Sequence, residues 1–169
     1  IQACGSHPLM RALRPGKLAL TALEATLRIY MDGADVAHRD IPVLSMLTLP
    51  QAHLERRARK LRDLMAAGLD KAGCPCAVEL EIVEESSTPG GGSLPTVELP
   101  TMCVAVRLVD EHLTVDALKR SLVQDFDTPV VTRTLHDRIL FDVRTLVGDR
   151  DIETAASTLA ACIAKAARR

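Results

Sequence analysis

The sequence predicts an α+β fold, a small and mainly antiparallel sheet with helices on one side, preceded by a long helix. Three observations carry this. Apolar residues recur at helical spacing in three long segments, and they alternate at period two over residues 78–82. The two patterns follow the order helix, helix, strand, strand, helix, strand, strand, helix, which is the order of an α+β layout rather than of a strict βαβ alternation.

The elements follow from the residues in turn. Pro8 opens a short helical turn carrying Arg11 and Arg14, which on a helix would lie near one face. Pro15 biases Arg14 towards extended backbone, so that turn ends there. Pro15 also suits the first position of a long helix, in which Leu20, Leu23, Leu27 and Tyr30 recur before Asp32-Gly33 ends it. Residues 33–50 read as an irregular link. From Gln51 to about Ala72 a second helix places Leu54, Ala58, Leu61, Met65 and Leu69 on one stripe and basic residues on its other faces. Val78, Leu80 and Ile82 then alternate with Glu79 and Glu81, as in a strand with one wet face. Residues 86–100 read as a loop or broken strand. Met102–Leu108 is apolar on both sides, which predicts a central strand. A short helix over Val115–Val123 precedes two strands, Val130–Leu135 and Arg138–Val143, that flank His136-Asp137 as a tight hairpin. Asp137-Arg138 lacks the usual Gly, which leaves the turn type open. A last helix, Ile152–Ala166, puts Ile152, Ala156, Leu159 and Ile163 on its buried stripe.

Composition bounds the function. With 169 residues the chain can bury a real core, and at 2% aromatic content, with no Trp, that core is aliphatic. The same scarcity argues against a base-stacking platform for single-stranded nucleic acid. A formal net charge of -1 offers no global basic field. Charge is uneven: Glu55–Arg62 is basic and Val78–Glu85 acidic, and both read as solvated faces. Five cysteines without framework spacing point to a reducing, cytoplasmic setting. No apolar run is long enough to cross a bilayer. The chain begins at Ile1 with neither Met nor a signal-peptide layout, which is expected of a piece of a longer protein.

Several residues are candidates for chemistry. Arg11 and Arg14 set two permanent positive charges, each a planar fork of donors, on a short stretch fenced by Pro8 and Pro15. That is either a solvated helix start or an anion clamp. Gly90-Gly91-Gly92-Ser93 permits close approach of backbone to a ligand or another chain, with Pro89 and Pro95 stiffening its flanks. It lacks the phosphate-loop pattern, and a flexible turn is the plainer reading. Cys74-Pro75-Cys76 resembles half of a metal site without its second pair, so no metal is expected. Cys162 lies in an alanine-rich helix and reads as buried. His53 and His136 have no sequence partners. Lys17 reads as a helix-surface lysine rather than a Schiff-base amine, which needs desolvation or a cationic neighbour. No nucleophile elbow and no zinc-protease motif is present. The residues alone lead to an α+β module with a possible anion site.

Four blocks, "SHPLMRALRPGKLALTALEATLRIYMDG", "IPVLSML", "GGGSLPTVELPT" and "PVVTRTLHDRILFDVRTL", resemble in order and spacing the C-terminal part of the bacterial selenocysteine synthase family, the L-seryl-tRNA(Sec) selenium transferases. The resemblance implies a fold-type-I pyridoxal-phosphate enzyme and the following layout. Residues 1–33 would be the end of the large domain and the connecting helix, and 34–169 the small C-terminal domain. The Schiff-base lysine would lie upstream, Lys17 does not match it, and the piece alone would be inactive. The implied reaction converts seryl-tRNA(Sec) to selenocysteinyl-tRNA(Sec): β-elimination leaves an aminoacrylate on pyridoxal 5'-phosphate, and selenium from selenophosphate adds to it. The family's anion-binding arginines fall on Arg11 and Arg14. Gly90, Gly91, Gly92 and Ser93 would approach the active site or a partner subunit of a homo-oligomer. Two alternatives stand beside this: a related pyridoxal-phosphate lyase acting on a small amino acid or amino sugar, and a non-enzymatic α+β interaction module.

Overall fold

A computed structural model describes residues 5–89, 97–109 and 113–167. The chain divides into two compact units, Ile1–Ser45 and Met46–Arg169.

In the first unit a four-residue helix, α1 (Leu9–Ala12), follows Pro8, and Gly16 leads in extended conformation into α2 (Lys17–Met31). Glycine at position 33, with φ of 110°, turns the chain out of α2, a conformation that L side chains avoid. The expectation of an irregular link over 33–50 is corrected here: α3 (Ala34–Asp40) is helical, and so is α4 (Pro42–Thr48), whose last residues, from Met46, belong to the second unit. Neither carries a long apolar stripe, which is why periodicity does not reveal them; α3 buries Ala37 alone. Their local signals are Asp35 in the first turn and His38 and Arg39 in the last turn of α3, which suit the helix dipole, and Pro42 at the first position of α4.

In the second unit α5 (Gln51–Lys71) buries Leu54, Ala58, Leu61, Met65 and Leu69, the stripe that the sequence predicts. It ends in a Schellman motif: the amide of Cys74 donates to the Leu69 carbonyl at 3.0 Å and that of Gly73 (φ 75°) to Asp70 at 3.1 Å. Strands β1 (Val78–Ser87) and β2 (Leu99–Leu108) pair antiparallel, with Val78 opposite Leu108 and Ser87 opposite Leu99. After α6 (Val115–Gln124), which Thr114 caps by accepting from the Ala117 amide at 3.2 Å, come β3 (Arg133–Leu135) and β4 (Arg138–Asp142). The last helix, α7 (Asp149–Ala166), starts where the Asp151 carboxylate accepts from the amides of Val147 and Gly148.

The sheet is four-stranded and antiparallel throughout, in the order β1-β2-β4-β3. β2 is central, as its two-sided apolar character predicts. Residues alternate across the pleat. Val78, Met102, Val104, Val106, Ile139 and Phe141 face one way and pack with the buried stripes of α5, α6 and α7 into the main core. The α+β fold with helices against one face is therefore the observed one.

The other face carries a narrow apolar strip, Cys103, Ala105 and Leu140, all at most 1% exposed. Long side chains cover it. Arg138 reaches across β2 to Glu81 on β1 at 2.9 Å, and Arg133 donates to the Ser86 carbonyl at 2.9 Å. Arg107 and Glu79 pair beside them. The small side chains of Ala105 and Cys103 leave room for these crossings. The acidic segment is thus tied by arginines of other strands rather than merely solvated. The basic segment of α5 is likewise committed: Arg57 donates to the carbonyls of Leu146 and Val147, and Lys60 pairs with Asp149.

Candidate functional site

Arg11 lies in α1, and Arg14 lies one residue past the C-cap, Leu13. The helical turn stops before Pro15, as the restriction on pre-proline residues predicts. The two arginines are consequently placed by the turn at Leu13–Arg14 and not by a shared helix face. Upstream, the amide of Leu9 donates to Nδ1 of His7 at 3.2 Å, which fixes the start of the turn. Both arginines are exposed. Neither guanidinium has an ion-pair or hydrogen-bond partner among the described residues, whereas Arg28, Arg39, Arg107, Arg133 and Arg138 each hold a carboxylate. Two such forks on a six-residue stretch bounded by prolines can take an anion with bidentate contacts.

Gly90, Gly91, Gly92 and Ser93 lie outside the described residues. The strand ends on either side of them carry a polar network that the sequence did not single out. Asp142 is its hub. Its Oδ1 accepts from Thr101 Oγ1 at 2.7 Å and from the Arg144 amide at 3.0 Å, and its Oδ2 accepts from Arg133 at 3.3 Å. Arg144 is 6% exposed and has no carboxylate partner among the described residues. Its Nη1 donates to the Met46 carbonyl at 2.7 Å and reaches that of Leu47 at 3.5 Å, and its Nη2 donates to the Pro100 carbonyl at 2.5 Å. Met46 and Leu47 are in the last turn of α4, whose carbonyl end carries partial negative charge that suits a cation. Met46, Leu47 and Pro100, which belong to two of the blocks that carry the family resemblance, therefore meet at the guanidinium of Arg144, which belongs to a third. A charged pair alternating with apolar residues in "ILFDVRTL" was the available signal.

The remaining candidates stay apart. Lys17 is the exposed first residue of α2, and none of the chain's five lysines is buried. A Schiff-base amine needs desolvation, so these residues do not fit covalent attachment of a cofactor. The four described cysteines are free thiols. Burial pushes Cys103 up to about 11, with the Asp142 carboxylate adding to the effect, and burial also raises Cys162. Cys74 is half-buried and Cys76 exposed, and no group of three or more His, Cys, Asp or Glu residues is placed to hold a metal among the described residues. His53 and His136 are both exposed. A groove between α6 and the end of α7 is lined by Ser121, Asp125 and Lys165 over Cys162. Its polar groups satisfy one another, with Ser121 donating to Asp125 at 2.6 Å and Lys165 pairing with it at 2.8 Å. Among the described residues no helix is long and apolar enough to cross a membrane.

Comparison with known proteins places this geometry. A family model described as SelA, L-seryl-tRNA selenium transferase, matches residues 1–147, which include Arg11, Arg14, Asp142 and Arg144. The L-seryl-tRNA(Sec) selenium transferase of Aquifex aeolicus is 37% identical over 159 residues, covering 94% of this chain and 32% of the relative. Those of Solidesulfovibrio magneticus and Desulfovibrio desulfuricans are 39% and 38% identical, over 95% and 96% of this chain and 32% and 33% of theirs. The chain spans about a third of the length of the curated relatives it matches. These relatives are enzymes, and the chain corresponds to a part of them: it belongs to the L-seryl-tRNA selenium transferase family.

Proposed function

We propose that this chain is the C-terminal third of a cytoplasmic selenium transferase that converts seryl-tRNA(Sec) to selenocysteinyl-tRNA(Sec) with selenophosphate, and that Arg11 and Arg14 hold the selenium donor. The carrying observation is the pair of guanidiniums, without partners among the described residues, on the turn between Pro8 and Pro15. Selenophosphate is a small multiply charged oxyanion. Two planar forks neutralise it and orient it, and a turn bounded by prolines loses little freedom when it binds. Fixed positive charge directed at a group whose charge changes during transfer lowers the barrier most where water is excluded.

The reading assigns residues 1–33 to the end of a large domain and its connecting helix, and 34–169 to the small domain of a fold-type-I pyridoxal-phosphate enzyme. Pyridoxal 5'-phosphate, when bound, supplies the carbanion stabilisation that removal of the seryl hydroxyl requires. Its lysine belongs to a part of the enzyme upstream of this chain, in line with none of the five lysines here being buried. The connection bearing Gly90–Ser93 would approach the active site or a neighbouring subunit of a homo-oligomer. Exposed apolar residues on α1 and α2, among them Leu9, Leu13, Leu20, Leu23 and Leu27, support the assignment of this stretch to an element that the rest of the enzyme covers.

The test is turnover in the complete enzyme. Arg11→Ala and Arg14→Ala each lower kcat/KM for selenophosphate by about a hundredfold, the scale of losing one charge-stabilising donor, while seryl-tRNA binding stays at wild-type level. Normal use of selenophosphate by both variants would remove the clamp.

A further inference from the structure

We propose that His7 is a third binding residue of the anion clamp: one ring nitrogen caps the turn that carries the arginines, and the other gives its N–H to an oxygen of the donor. The inference rests on the reading that Arg11 and Arg14 hold the selenium donor. Its own ground is the bonding of His7. Pro8 already has helical angles, φ -55° and ψ -30°, so the residue ahead of it takes the part of a cap. The His7 carbonyl accepts from the Met10 amide at 2.9 Å, and its Nδ1 accepts from the Leu9 amide at 3.2 Å. Pro8, between them, has no amide to satisfy. An amide can only donate, so the Nδ1 that receives it carries no proton, and the proton of the neutral ring is on Nε2. That N–H has no partner among the described residues, and His7 is exposed.

The placement joins this free donor to the clamp. His7 and Arg11 stand four residues apart, and the chain between them is helical from Pro8. Side chains at that spacing are neighbours on a helix, with Cβ atoms about 5–6 Å apart. The free N–H therefore belongs beside the first of the two free forks. The cap holds the ring before any ligand arrives, so little freedom is lost on binding. A neutral N–H given to an oxyanion is a charge-assisted bond, and it adds direction without a third fixed charge. Serine, a commoner cap, would hold the turn alike. The imidazole adds a donor on the far side of a rigid ring.

The experiment uses the complete enzyme with His7→Ser, His7→Ala and the Arg11→Ala/Arg14→Ala double variant, and with His38→Asn, at an exposed histidine of α3, as a control. Serine restores the cap and withholds the distant N–H. Two quantities are read: affinity for thiophosphate, a sulfur analogue of the donor, by calorimetry, and hydrogen exchange of the amides at 9–13. The proposal expects His7→Ser to weaken thiophosphate binding about tenfold, the scale of a hydrogen bond to a charged group, with exchange and seryl-tRNA affinity at wild-type level. His7→Ala weakens binding as much and also speeds exchange, and the control changes neither. Wild-type affinity in His7→Ser, beside weak binding in the double arginine variant, overturns the donor role of His7 and leaves the clamp standing. Weaker binding in His7→Ser with exchange as fast as in His7→Ala traces the loss to the turn and overturns that role as well. Wild-type affinity in the double arginine variant removes the clamp itself, and the proposal with it.

Discussion

Arginines in this chain behave in opposite ways, and their neighbours decide which. Arg144 is buried with its donors on three carbonyls, while Arg11 and Arg14 are exposed and without partners among the described residues. The sequence marks Arg11 and Arg14, because proline fencing is a local signal. It does not mark Asp142 or Arg144, because their partners lie up to 98 residues away and no local pattern reports a contact made by folding. The cysteines divide by burial in the same manner. Cys76 is exposed, while Cys103 and Cys162 are buried with raised thiol pKa values. Alkylation at pH 8 therefore labels Cys76 before Cys103 and Cys162, which it reaches only on unfolding, as peptide mass spectrometry would show; early labelling of Cys103 contradicts its placement. The sign for stability follows. A protonated Cys103 contributes fully below its ordinary value of 9.0, and the contribution is lost as pH rises through about 11. Denaturant midpoints accordingly fall over that window, and Cys103→Ala flattens the fall.

Among the elements, the long helices and the central strand were legible because burial imposes a period, and the stripe Leu54, Ala58, Leu61, Met65, Leu69 is buried as read. α3 and α4 were not, since seven-residue helices with little core contact impose no such period. The packing of α5 on α7 turns on Gly68, where an added Cβ would stand 3.1 Å from the Cβ of Ala160. Gly68→Val should cost about 1–3 kcal/mol in chemical unfolding, as overpacking does, and Leu61→Ala about 2–5 kcal/mol through the cavity it leaves. The hairpin between β3 and β4 answers the question left open by its sequence. His136 and Asp137 have φ of 48° and 57°, the two left-handed residues of a type I′ turn built without glycine. His136→Asn with Asp137→Gly should raise stability by about 0.5–1 kcal/mol; a loss would contradict the turn assignment.

At the scale of the whole molecule, the two compact units differ in how they bury apolar surface. The second has a closed aliphatic core between its sheet and three helices. In the first, α2 buries none of its fifteen residues, and Leu18 and Met31 are 88% and 85% exposed. The helical period of α2 was plain in the sequence, but period alone does not say whether the partner of an apolar stripe lies within the chain. Leu20→Glu with Leu27→Glu should make the 169-residue chain more soluble and less able to bind a hydrophobic dye, and should impair the complete enzyme. The reading of function depends above all on Arg11 and Arg14 meeting an anion. Calorimetric titration of the complete enzyme with thiophosphate, a stable analogue of the selenium donor, measures this with no catalytic step. Saturable binding that weakens at least tenfold in the Arg11→Ala/Arg14→Ala double variant, with seryl-tRNA affinity unchanged, is the expected result. Equal thiophosphate affinity in the wild type and the double variant would contradict it.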